Sequence, residues 1–158
     1  IDLTRSYPNV QGNAYFSAKA FVNNNKDVVS LLENNQYKYS AIPLPVPSSI
    51  KTGTERPLID IFNKEGNSYH FSFKKTVSEQ IRYIVIYSAE GNSKIDCNDS
   101  SQIIEKIYIN PKTDSIKLLL SKDQLHNKNK VAFTFIDFYG NESVPEIINL
   151  HNEIKPNK

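Results

Sequence analysis

From residue 57 onward, apolar and polar side chains alternate with a period of two, the repeat that turns one face of a strand inward and the other outward. The pattern predicts seven short strands, at 57–62 (PLIDIF), 68–75 (SYHFSFKK), 81–88 (IRYIVIYS), 103–109 (IIEKIYI), 115–120 (SIKLLL), 130–138 (KVAFTFIDF) and 144–150 (VPEIINL). Between them lie stretches such as NKEGN, SAEGNSK and NPKTD, whose Gly, Asn, Asp and Pro residues supply the backbone angles of turns. Seven short strands with this punctuation predict an immunoglobulin-like β-sandwich. SKDQLHN (121–127) predicts a helical turn ahead of the sixth strand.

Two of these strands are apolar at both parities. With Val131, Phe133 and Phe135 turned to the core, Ala132, Thr134, Ile136 and Phe138 point out of the same sheet. In the third strand, placing Tyr83, Val85 and Tyr87 inward leaves Ile84 and Ile86 outward. A sheet that meets water on one side carries polar residues there. This one predicts a covered second face, because about 300 Å² of apolar surface removed from water contributes roughly 7 kcal/mol before ordering costs. That is comparable to the net stability of a small domain. The expectation is an interdomain interface made by Ile84, Ile86, Ala132, Thr134, Ile136 and Phe138, with residues 1–50 and a neighbouring domain laid across it. Aliphatic Ile84 and Ile86 suit such packing better than sugar binding.

Before residue 57 the pattern changes. GNAYFSAKAF (12–21) predicts a strand, and NNNKDVVSLLENNQY (23–37) a short helix. Asn24 or Asn25 can cap its open amides, Asp27 suits its positive end, and Val28, Leu31 and Leu32 share a face. Asn34 and Asn35 suit the exit. One strand and one helix bury too little to stand alone, so this part needs a neighbour. AIPLPVPSSIKTGTERP (41–57) carries four prolines and then loosens, predicting an extended seam that becomes a linker. The expected division is 1–50 for the first part and the start of the seam, 51–56 for the linker, 57–150 for the sandwich and 151–158 for a tail.

Composition narrows the function. Nineteen basic against seventeen acidic residues, with no basic block, argue against a nucleic-acid partner. A single cysteine, Cys97, excludes an internal disulfide and a cysteine zinc site. No apolar run approaches the roughly 18 residues of a membrane span, and no signal-peptide pattern opens the chain. The chain has no methionine, which fits a mature product or, as favoured here, an excised piece of something longer.

Candidate chemistry is sparse. Asp137 and Glu142 straddle the DFYGNES turn, and glycoside hydrolysis needs two carboxylates about 5 to 9.5 Å apart. The structural reading is favoured: Asp137 can accept turn amides, Gly140 supplies positive φ and Asn141 tolerates left-handed geometry. His70, His126 and His151 share no ligand spacing, and His70 alternates outward from Tyr69 and Phe71. Asp96, Asn98 and Asp99 in DCNDSS offer hard oxygens without the spacing or glycine of a calcium loop. No metal site and no cofactor are expected. No phosphate loop, dinucleotide turn or nucleophile elbow is present. Asn98-Asp-Ser and Asn141-Glu-Ser match glycosylation acceptors at the level of chance.

Two stretches carry a resemblance. IRYIVIYS followed by KVAFTFIDFYGNES is similar to strands C and F and the F–G turn of bacterial fibronectin type III domains, over about 57–150. Val131 stands at the tyrosine-corner position and Phe73 where tryptophan is common, so the implied core is atypical. YPNVQGNAYFSAKAF with LLENNQYKYSAIPLPVP resembles the last strand and helix of the barrel in a glycoside-hydrolase-like family, formerly domain of unknown function number 187, of Bacteroides-type lipoproteins. Tyr37, Lys38, Tyr39, Ala41, Pro43 and Pro45 match its segment leading into a fibronectin-like domain, and Ser40 departs from it. The resemblance implies a short β/α remnant of a TIM-like barrel followed by an accessory sandwich. It implies export to the periplasm or cell surface, with the parent barrel as partner and polysaccharide or peptidoglycan-derived glycan as a further one. Ser17 and Lys19 would then contact sugar hydroxyls in the parent, or be ordinary loop polar residues. Tyr37 and Tyr39 would stack on sugars or pack the barrel end. The fragment itself is expected to be non-catalytic. Its alternatives are a carbohydrate- or protein-binding module acting through its loops, and a component that accepts a donated strand.

Overall fold

A computed structural model describes residues 3, 6–10, 14, 18–46, 54–73, 81–90, 93–113, 115–126 and 128–151. The chain separates into two compact units, 1–39 and 40–158.

The first unit is helical over most of residues 19–36, with turns and bends at 6–9 and 37–39. Helix α1 spans Lys19–Val22, a 3-10 turn Asn25–Asp27, helix α2 Val28–Leu31 and a π turn Leu32–Gln36. The strand expected over 12–21 is therefore corrected at its end, where residues 18–22 turn and coil; residues 11–13 and 15–17 lie outside the described ones. Its alternation is weak because Ala18 and Ala20 suit a helix as well as a strand. The helix over 23–37 is present but broken into single turns, with Asn24, Lys26 and Asp27 all at positive φ. Asn24 precedes the 3-10 turn without a side-chain cap to it, and its side-chain oxygen instead accepts the Val29 amide at 2.9 Å. None of these helical elements contains a buried residue.

The second unit is a mainly β, two-sheet antiparallel sandwich. Its strands are β1 (Ile59–Glu65), β2 (Ser68–Phe73), β3 (Ile81–Tyr87), β4 (Ile103–Tyr108), β5 (Ile116–Ser121), β6 (Lys130–Asp137) and β7 (Glu146–Asn149). Each overlaps an expected run, with ends shifted by at most a few residues. One sheet has the order β1-β2-β5 and the other β4-β3-β6-β7. The core between them is aromatic: Phe62 stacks on Phe71 at 5.0 Å, and Phe133 meets Phe71 at 4.8 Å and Phe73 edge-on at 5.0 Å. Phe73 also approaches Phe135 at 6.2 Å. Turns at 122–126 deliver Leu125, fully buried, under this cluster.

The facing of β3 is the reverse of that expected. Ile84 pairs with Phe135 and Ile86 with Phe133, and directly opposed residues share a face. Both isoleucines are therefore in the inter-sheet core, fully buried. Tyr83, Val85 and Tyr87 look the other way, with Ile136, Thr134 and Ala132 as their partners. The register breaks between Ile81 and Tyr83, and an extra residue in one strand resets its parity. That break lets Ile81, Ile84 and Ile86 all enter the core.

Candidate functional site

The outer face of the four-stranded sheet is apolar and covered from within its own unit. Val85, Tyr87, Ala132 and Ile136 are fully buried there, together with Ala89 and Ile95 from the β3–β4 connection. Ile42, Cys97 and Ile103 pack against them. Ile42 comes from the proline-rich segment, whose residues 41–46 lie over the face as an extended strap.

Backbone contacts hold the strap. The Val46 amide donates to the Tyr139 carbonyl at 2.9 Å, and Lys106 Nζ donates to the Ala41 carbonyl at 2.8 Å. Gly140 makes the closest approach possible. A Cβ at this position would sit 2.8 Å from the Leu44 oxygen and 3.2 Å from Pro45 Cα, and its φ of +84° disfavours a side chain independently. Further along, Thr54 Oγ1 donates to the Asn141 carbonyl at 2.9 Å, and Arg56 forms an ion pair with Glu146.

Asp137 and Glu142 have separate tasks. Asp137 organises the turn, accepting the Tyr139 amide at 2.8 Å and the Asn141 amide at 2.9 Å. Glu142 bridges to Ile136 and aims its carboxylate across the outer face. Its Oε1 accepts both the Tyr87 hydroxyl and the Thr134 hydroxyl, each at 2.6 Å. Burial, followed by the adjacent Glu142 carboxylate, pushes the Tyr87 phenol far above its ordinary range. The cluster therefore ties β3, β6 and the turn together, since Tyr87 and Thr134 are fully buried and need an acceptor.

Between strap, connection and turn runs a groove of about 450 Å³, lined by residues that include Ile42, Leu44, Cys97, Ser100, Ile103 and Glu142. Burial, then the charges of Glu142 and Asp96, push the Cys97 thiol up to about 11. A thiol held protonated is a poor nucleophile. The neighbouring carboxylates serve their own loop. Asp96 accepts the Asn98 amide at 3.0 Å, and Asp99 accepts the Ser101 amide at 2.9 Å and hydroxyl at 2.6 Å. The Ser101 donors hold the Asp99 carboxyl below its usual range. His70 points outward, 3.4 Å from Glu65.

Of the expected interface set, Ala132, Thr134 and Ile136 are on the covered outer face, while Ile84 and Ile86 are not, as corrected above. Phe138 is 60% exposed, with the Arg82 guanidinium 4.5 Å from its ring. Among the sugar-contact candidates of the first unit, Ser17 lies outside the described residues. Lys19 opens α1. Tyr37 and Tyr39 are about half exposed, and Lys38 Nζ sits 5.3 Å from the Tyr39 ring. The residues that sequence reasoning missed are Ile42, Tyr87, Cys97 and Glu142 in their face-building roles. A signal existed for Thr134, the lone polar residue inside the apolar run VAFTFI.

No family model matches the chain, and no curated protein matches it. Among solved structures it is similar to catalytically inactive OgpA from Akkermansia muciniphila, in complex with an O-glycopeptide (glycodrosocin) substrate, at TM-score 0.45 and 12% identity. The match covers 69% of this chain and 33% of that one, so the chain spans about a third of that protein's length. A likeness of this size assigns neither a fold family nor an activity.

Proposed function

We propose that this chain is a non-catalytic accessory segment of a secreted glycoside-hydrolase-like protein, ending in a fibronectin type III-like sandwich that receives the preceding chain through a bound strap. Lettering the strands A to G, the fourth lies beside the third rather than in the A-B-E sheet. That arrangement supports the fibronectin-like reading over a constant-type immunoglobulin one, where the fourth strand joins the first, second and fifth. The tie to glycoside hydrolases, and the barrel origin of residues 1–39, rest on the sequence resemblance alone.

The observation that carries the proposal is the strap on the outer face. A free linker between modules runs through solvent and is polar and mobile. Here the proline-rich segment instead packs a half-buried Ile42 against the cluster of Val85, Tyr87, Ala132 and Ile136. The prolines contribute by limiting the conformations of the unbound segment, so less entropy is lost when it lies down. The sandwich then supports a fixed point of chain attachment and performs no bond chemistry of its own.

Incubating the chain with chromogenic glycosides tests this. The expected result is no turnover; turnover abolished by Glu142→Gln would overturn it. Retention of the chain on insoluble polysaccharide would favour the binding-module alternative.

A further inference from the structure

We propose that the open mouth of the sandwich, between the β1–β2 hairpin and the ends of β5 and β7, is an anion-binding site for an oxyanion group such as a sulfate, a phosphate ester or the carboxylate of an acidic sugar.

The strand register builds this place. Lys64 pairs with Tyr69 across β1 and β2, just as Phe62 pairs with Phe71 one step deeper. Opposed residues share a face, so Lys64 continues the inner, core-facing row and puts a charge where that row meets solvent. Tyr69 in turn pairs with Leu120 near the end of β5. Lys122 follows directly, fixed by its amide on the Asn67 carbonyl at 3.0 Å. On the opposite sheet the Leu150 amide donates to the Asn129 carbonyl at 2.8 Å, which holds the end of β7 beside the segment carrying Lys128. Around these residues is a cavity of about 240 Å³, whose wall also includes His151.

Three features of the cavity point to a negative ligand. Among the described residues its lining contains three lysines and a histidine and no carboxylate. None of the three lysines has an ion pair among the described residues, although Lys122 and Lys128 are half-buried. Like charges gathered at a partly desolvated site repel one another, and an anion relieves that repulsion. Separately, the floor carries an unused donor. Tyr69 is only 7% exposed and its ring stacks on Phe62 at 6.0 Å. Its hydroxyl has no hydrogen-bond partner among the described residues. The ring is buried but the hydroxyl is not, so it meets the cavity's solvent and is free to donate to an incoming oxygen. Lysine stems covering the end of the core would explain the charges alone; an anion site also uses the phenol as a donor, a use that Tyr69→Phe removes.

The test is a titration of the full chain, followed by amide chemical shifts, with sodium sulfate, sodium phosphate and sodium glucuronate at constant ionic strength. The site predicts saturable binding that moves the amides of Tyr69, Lys122 and Lys128. Lys122→Gln with Lys128→Gln should weaken it at least about tenfold, as expected for loss of charge-assisted hydrogen bonds. Tyr69→Phe keeps every charge and the ring, and should weaken binding severalfold. Saturation by sulfate and phosphate alone assigns a tetrahedral ester, and saturation by glucuronate as well assigns acidic saccharide. Shifts that never saturate, or that ignore both the lysine changes and Tyr69→Phe, overturn the proposal, because simple screening behaves that way.

Discussion

Replacing Gly140 with alanine perturbs the strap at its tightest point without touching the core. Two penalties follow from the geometry. An alanine held at φ +84° costs about 1–2 kcal/mol in local backbone strain. The new methyl would also lie 2.8 Å from the Leu44 oxygen, a backbone atom that no rotamer change can move aside. The strap must lift, losing the Val46–Tyr139 hydrogen bond, about 1 kcal/mol, and part of the burial of Ile42, about 1 kcal/mol more. The sum is roughly 3–4 kcal/mol, measurable by urea denaturation followed by circular dichroism. The strap share is isolated by repeating the change in an Ile42→Asp background, where the strap is already released. There Gly140→Ala should cost only the backbone portion, giving a coupling of about 2 kcal/mol between the two sites. Additivity within about 0.5 kcal/mol would refute the reasoning, because glycine would then be needed for its turn and not for the strap.

Glu142→Ala strands two buried hydroxyls and should destabilise the sandwich by about 3 kcal/mol or more, whereas Glu142→Gln keeps an acceptor oxygen and should cost far less in the same denaturation assay. Ile86→Lys, placed in the core rather than on the outer face, should prevent folding or lower stability by several kcal/mol, while Phe138→Lys, at an exposed ring, should change the melting temperature little. Cys97, raised from an ordinary 9.0 to about 11, should react with a disulfide reagent at pH 8 about a hundredfold more slowly than a free thiol, as the lost thiolate fraction requires. The same shift has a stability sign. The contribution is fully present below pH 9.0, where neither state ionises, and falls away as pH rises towards about 11, so Cys97→Ala should flatten that alkaline decline.

Most of the sandwich was legible because its strands are short, alternating and separated by strong turn residues. The facing of β3 was not. IRYIVIY is apolar at both parities, so alternation carries no phase, and the register break after Ile81 has no sequence mark. Cross-strand reasoning would have resolved it, since isoleucine opposite Phe133 and Phe135 must join them. The covered second face was readable from β6, yet its polar anchor was not, because Tyr87 and Glu142 are far apart in sequence and meet only through the pairing of β3 with β6. The proline-rich seam announced an extended segment. That it lies down rather than hangs free depends on one isoleucine and one glycine, Ile42 and Gly140. The first unit was misread around residues 18–22, where alanines leave period and propensity in conflict.

Hydrogen exchange at the Val46 amide tests the bound strap most directly, since that amide is the strap's own donor to the sandwich. Protection of at least about a hundredfold over an unstructured peptide, lost in Gly140→Ala, is the predicted result. Exchange at the unprotected rate in the native chain would contradict it.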